Sequence, residues 1–317
     1  MFTWPVISQI VWTGLATSSY FVLSAVAFAL VLKVVNLFNF AQAGIMGIAF
    51  YASYWAVQGL GLSPLIGIPV GLAITLAASF LLDRYGFRVL RRRHSSVMTF
   101  FIFTLIFSEF IAYVLMLIFG TWPQTLFEQI MWPVSIIGDV AVSAWDIPAV
   151  GITLAVLVAL YFALNYSRQG QFMVAVADNP DLAELYGINK ERVFMWTLLA
   201  AGFIAFVGMC LYGARAQVHP TTTLELLVFA VVATILGGIG NVFGAAVAAV
   251  ILNLIQSLSI LVIPSDWQGV LLYGFLFFAI IFMPNGFRLP KRRVRFQTGT
   301  RTLEGTEDEG QSKADTG

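Results

Sequence analysis

Few residues in this sequence could do chemistry, and most of them lie inside apolar stretches. Glu109 stands near the middle of the apolar run 97–119. An ionised carboxylate facing lipid at that depth costs several kcal/mol, so Glu109 must face a cavity or a partner, or carry a proton. It reads either as a pathway or coupling residue, or as a neutral interior acid beside Ser108 and Thr104. A proton relay would need a second intramembrane carboxylate or histidine, and none accompanies it. Asn39 and Gln42, with Asn36 just before them, form another polar group, and their i, i+3 spacing puts both amides on one helical face. They could bond a solute or satisfy backbone freed at a helix end.

The break Gly237-Gly238-Ile239-Gly240-Asn241 opens a stretch rich in small residues, Gly244, Ala245, Ala246, Ala248 and Ala249. Broken backbone at membrane depth is tolerated only where protein or a water-filled cavity satisfies it. The break therefore lines a pathway or lets helices pack closely. A nucleotide-binding loop does not fit, because no Lys-Ser/Thr follows and no strand precedes it.

The last candidate is a polar island, Asp178-Asn179-Pro180-Asp181-Leu182-Ala183-Glu184-Leu185-Tyr186-Gly187-Ile188-Asn189. Asp178 or Asn179 can cap a helix with Pro180 in its first turn, and Gly187 can end it. About two turns of helix are too short to cross a bilayer. A short charged helix held at a membrane surface suggests docking to another protein. Elsewhere no Ser/His/Asp set, carboxylate pair or metal cluster suggests catalysis. His94 and His219 have no metal-ligand company, and the single Cys210 excludes a disulfide framework or cysteine zinc site. No catalytic or metal residue is expected, and nucleic-acid binding does not suit this setting.

The elements that must hold these residues follow from composition. The chain of 317 residues is 59% hydrophobic and only 10% charged, against roughly 25% charged in soluble domains. Its apolar residues form continuous runs of about 20, the length that spans a hydrocarbon core. An alternating barrel pattern does not fit. Runs fall at 10–32, 41–57, 64–82, 97–119, 149–166, 193–212, 242–262 and 268–283, with a shorter one at 226–236. The expectation is an all-α integral membrane protein, a polytopic bundle of about eight transmembrane helices plus a short broken or re-entrant helix. No cleavable signal peptide is evident, and the first run reads as a retained span.

Orientation follows from the basic residues. Of 17 Lys and Arg, five lie in 83–96, three in 167–192 and six in 286–301. The connection 120–148 has none, and its Trp122, Trp132 and Trp145 suit a headgroup interface. The basic loops are expected in the cytoplasm, with the island among them. Arginines at 91–93 and the basic residues of 291–295 should also touch anionic membrane lipid. The chain divides into a transmembrane domain, 1–285, and a cytoplasmic tail, 286–317, basic and then acidic and disordered. A weak internal repeat relates 36–42 to 237–241, and paired interrupted helices point to a transport pathway.

The stretch 175–189, the break within 233–245 and the N-terminal Leu37-Phe38-Asn39-Phe40-Ala41-Gln42-Ala43-Gly44 together resemble bacterial ABC-importer permeases of the branched-chain amino-acid family. The matches occur in family order over about 10–285, and Gln42 departs from the family's usual His. The resemblance implies a permease subunit in the bacterial inner membrane, not an enzyme. It moves branched-chain or other hydrophobic amino acids, or a related small polar solute such as urea or amides. It implies a second permease, identical or homologous, two cytosolic ABC ATPase subunits that use ATP and Mg, and a periplasmic or extracellular solute-binding protein. This chain itself would bind no cofactor. Asp178, Asn179, Pro180, Asp181, Glu184, Leu185 and Gly187 would form the helix that couples to the ATPase. Asn39, Gln42, Glu109, Gly237, Gly238, Gly240 and Asn241 are the pathway candidates. The competing reading is a secondary transporter driven by an ion gradient, for which Glu109 is the only intramembrane carboxylate available.

Overall fold

Helix α1 (Trp4–Val35) runs through the middle of the bundle. At about 48 Å it exceeds the thickness of a hydrocarbon core. Its small residues let neighbours approach, and its buried Ser18, Ser19 and Ser24 hydroxyls donate to carbonyls of their own helix. These polar groups are therefore buried without being left unsatisfied. The computed structural model describes residues 4–127, 133–137, 140–264 and 267–282. The tail expected over 286–317 lies outside the described residues, as does Trp132.

The chain continues through α2 (Ala41–Tyr54), α3 (Pro64–Leu81), α4 (Arg88–Arg92) and α5 (Val97–Phe119). A short antiparallel hairpin follows, β1 (Val134–Ile137) with β2 (Val140–Ser143). Then come α6 (Asp146–Tyr166), α7 (Arg168–Asp178), α8 (Pro180–Leu185), α9 (Lys190–Gly213), α10 (Thr222–Gly237), α11 (Val242–Ser259) and α12 (Gln268–Phe282). The protein is an all-α polytopic membrane protein. Among the described residues, six helices are long and apolar enough to cross a membrane. The other two expected spans are shorter: α2 has 14 residues before a π-helical turn, Trp55–Gly59, and α12 has 15. A second π turn, Leu82–Phe87, carries α3 on into α4.

Helix α10 begins earlier than its apolar run, because Glu225 in its first turn sits at the positive end of the helix dipole. It runs alongside α1 in the same direction, with Phe229 against Phe21 and Thr234 donating to the Ala25 carbonyl. Helix α11 then returns antiparallel, and its Asn253 amide donates to the Gly14 carbonyl near the start of α1. So α10 and α11 form an antiparallel pair packed along α1. Helix α9 packs on α1, α2 and α3: a Cβ on Gly202 would crowd Ser79 of α3, and Gly208 faces Leu23 of α1. Helix α5 is peripheral and leans on α2, where Gly44 and Gly47 receive Phe107, Ile111 and Leu115.

Candidate coupling surface and translocation pathway

The polar island folds as its residue types dictate. Between the two capping candidates, the structure uses Asn179, whose Oδ1 accepts from the backbone N–H of Asp181 and Leu182. Pro180 supplies the first turn of α8, where no donor is needed. At the other end the N–H of Gly187 donates to Glu184 and that of Ile188 to Ala183. This is a Schellman closure, and Gly187 adopts the positive φ of 82° that it requires. Asp178 ends α7 and is exposed, as are Asp181, Glu184 and Leu185. The apolar side chains Leu185 and Tyr186 are 84% and 80% exposed, side by side at the end of this polar helix.

The amphipathic helix α7 just before the island carries no sequence run that announces it. Its Met173 and Val176, three residues apart, are buried, and Gly170 packs so closely on Ala163 and Leu164 of α6 that a Cβ would overlap them. The i, i+3 spacing of Met173 and Val176 is the signal that identifies its inward face.

The base of α9 joins the island to α3 and α4. Lys190 Nζ lies 2.7 Å from Glu184 Oε2 and 3.9 Å from Asp181 Oδ1. The next residue, Glu191, accepts two bonds from Arg91, which also donates to buried Asp83 at 2.7 Å. Arg91 stacks over the Phe194 ring as well, 5.1 Å from its centroid. At the opposite end of α9, Arg215 pairs with Asp146, whose other oxygen accepts from Trp12 Nε1 and the Ser143 N–H. Asp146 is only 2% exposed. Neither ion-pair cluster is legible as a motif, because each joins residues distant in sequence.

The two helix breaks are buried at Asn39, Gln42, Gly237 and Gly238, while Phe38 and Ile239 are exposed. Asn39 is 1% exposed and neither of its amide atoms has a hydrogen-bond partner, whereas Gln42 donates to the Ala201 carbonyl of α9 at 3.3 Å. The break after α10 turns on Gly238 and Gly240, with φ of 97° and 89°. Asn241 then caps α11 by accepting from Gly244. A Cβ on Gly237 would overlap the Gly244 backbone, so α10 and α11 touch main chain to main chain there.

Glu109 is placed differently. The buried residues of α5 are Phe100, Thr104, Ser108 and Leu115, and Glu109 falls on the opposite, exposed side. Ile102, Ile106, Tyr113 and Leu117 are exposed along the same stripe. Glu109 is therefore not an interior acid packed with Ser108 and Thr104. The structure brings Gln42 to α9 and Gly237 to α11, but leaves Glu109 facing away from both.

The family described as branched-chain amino acid transport system, permease component, matches residues 10–280. The permease protein LivH of the high-affinity branched-chain amino acid transport system of Escherichia coli is 26% identical over 293 residues, covering 88% of this chain and 94% of LivH. BraD of Pseudomonas aeruginosa is 24% identical, covering 86% of this chain and 92% of BraD. A probable LivH of Methanocaldococcus jannaschii is 24% identical, covering 81% of this chain and 82% of its own length. With the match extending from α1 into α12, this chain belongs to the family of permease components of branched-chain amino acid transport systems, which are transport subunits and not enzymes.

Proposed function

We propose that this permease works in a bacterial inner membrane as half of a paired pore that imports branched-chain amino acids, or a related small solute, using ATP hydrolysed by cytosolic ABC ATPases. A solute-binding protein delivers the cargo to the opposite face. The observation that carries this reading is the α8 surface. A six-residue helix, capped at both ends, exposes Leu185 and Tyr186 beside Asp178 and Asp181. A rigid apolar knob with a charged rim suits insertion into a cleft of another protein. The loop 167–192 and the tail 286–317 belong to the cytoplasmic side on the strength of their basic residues.

The pathway runs along the exposed face of α5 that carries Glu109. Carboxylates within membrane spans almost always face the bundle interior or a water-filled cavity, and this face meets neither within one chain. A second permease across that face would enclose it. The breaks at Asn39–Gln42 and Gly237–Asn241 lie away from this face and would act on it through α2, and the unbonded amide of Asn39 is available when the helices shift.

Reconstitution with the cognate ATPase and binding protein tests the proposal. Uptake of leucine, isoleucine or valine should require ATP and the ATPase. Uptake that persists without ATP and follows a proton or sodium gradient would overturn it in favour of a secondary transporter. Ligand identification on the co-purifying binding protein tests the choice of cargo.

A further inference from the structure

At the basic end of the bundle a polar cavity of about 170 Å³ opens between the α3–α4 extension and the first turn of α9. Arg84, Arg88 and Arg192 line it, together with Asp83 and Glu191. Both carboxylates are engaged by Arg91, which does not line the cavity. Four guanidiniums thus stand against two carboxylates, an excess of two positive charges. Arg88 Nε is buried without a hydrogen-bond partner, and its nearest carboxylate oxygen, Glu191 Oε2, is 3.8 Å away. Arg84 and Arg192 have no carboxylate within ion-pair distance among the described residues. Arg84 and Arg192 are exposed, whereas the Arg88 N–H is buried; a buried guanidinium N–H without an acceptor is costly, and a phosphate oxygen is the acceptor that guanidiniums lining one cavity fit best.

We infer that this cavity binds the phosphate of an anionic phospholipid. A lipid is favoured over a free phosphate by what surrounds the cavity. Phe80 of α3 lines it and is exposed, and Leu81, Tyr85 and Trp196, each next in sequence to a lining residue, are exposed as well, a mix of apolar and aromatic side chains that suits a headgroup interface. Basic pockets between helix ends at a membrane surface take headgroups in this way, and the acyl chains would run along the apolar flank of α3. The bound phosphate would bridge α3–α4 to α9 beside Arg91. The site is independent of which solute is carried.

The test uses the complete transporter in nanodiscs of phosphatidylcholine with or without phosphatidylglycerol, with bound lipid read by native mass spectrometry. The wild type should retain phosphatidylglycerol in preference to phosphatidylcholine. The triple variant Arg84→Gln, Arg88→Gln, Arg192→Gln should hold it about a hundredfold less tightly. Arg92→Gln with Arg93→Gln, which removes two charges of the same segment outside the cavity, should retain it. The double variant Arg84→Gln, Arg192→Gln serves if the triple does not fold, and should show an intermediate loss. Equal retention by the cavity variants, or equal loss in Arg92→Gln/Arg93→Gln, overturns the site. Displacement of the lipid by millimolar inorganic phosphate shows a free-anion site and overturns the lipid. Normal lipid retention with loss of ATPase binding assigns the arginines to a docking protein and likewise overturns the inference.

Discussion

Arg91 and Glu191 lie a hundred residues apart in sequence and meet as a two-point ion pair, Nε to Oε1 at 3.0 Å and Nη2 to Oε2 at 2.9 Å. The same Nη2 reaches Asp83. Removing the guanidinium strands a buried carboxylate, which typically costs about 3 kcal/mol or more. Arg91→Ala should therefore lower the thermal unfolding midpoint in detergent clearly. Arg91→Lys should recover only part of it, because an ammonium cannot make the fork. Equal midpoints for wild type and Arg91→Ala would show that the cluster is mostly solvated.

Asn179→Ala removes the acceptor for two N–H groups at the start of α8 and should cost the helix about 1 kcal/mol. Gly187→Val adds a strained left-handed residue at its end. Both changes are local to an exposed segment, so membrane insertion should be unchanged. The expected effect is a fall in solute carried per ATP hydrolysed, most severe for Glu184→Lys, which also turns attraction to Lys190 into repulsion. Wild-type ratios in all three variants would remove α8 from the coupling role.

Glu109→Leu separates pathway from lipid. If the α5 stripe faces the pathway, uptake should fall by about tenfold, the loss of one charge-assisted hydrogen bond, with expression unchanged. Glu109→Gln should keep part of the activity. Unchanged uptake with a raised thermal midpoint would put the stripe against lipid.

Gly237→Leu tests the α10–α11 contact alone. A side chain there must enter space held by the Gly244 backbone. Overpacking of that kind typically costs 1–3 kcal/mol. The expected result is a lower unfolding midpoint; an unchanged midpoint would mean that the two helices separate without penalty.

The spans and the island are legible in sequence because both depend on local chemistry: hydropathy over a run, an Asn before a Pro, a Gly at a helix end. What hydropathy misses is amphipathic or short. Helix α7 has no long apolar run, and the hairpin of β1 and β2 lies within the connection 120–148, which reads only as a stretch without basic residues and with interfacial tryptophans. Arg215 to Glu225, ahead of the run 226–236, reads as a short polar link, although Thr222 to Glu225 forms the first turn of α10. The direction of Glu109 was within reach, since Phe100, Thr104, Ser108 and Leu115 mark one face of α5 and place the acid on the other. The pairings of Arg91 and Arg215 were not, because they depend on which helices become neighbours.

Helix α9 is tethered at both ends. Glu191 at its base is held by Arg91, and Arg215 just beyond its top is held by Asp146, itself tied to α1 and the hairpin. A rod of about 36 Å fastened by charge at each end has little room to slide on its own. If α8 receives a push from an ATPase as proposed, that push would reach the far surface as displacement of α9. Opening one face and shutting the other would then be two readings of a single movement. A leak through both at once would require an ion pair to break first.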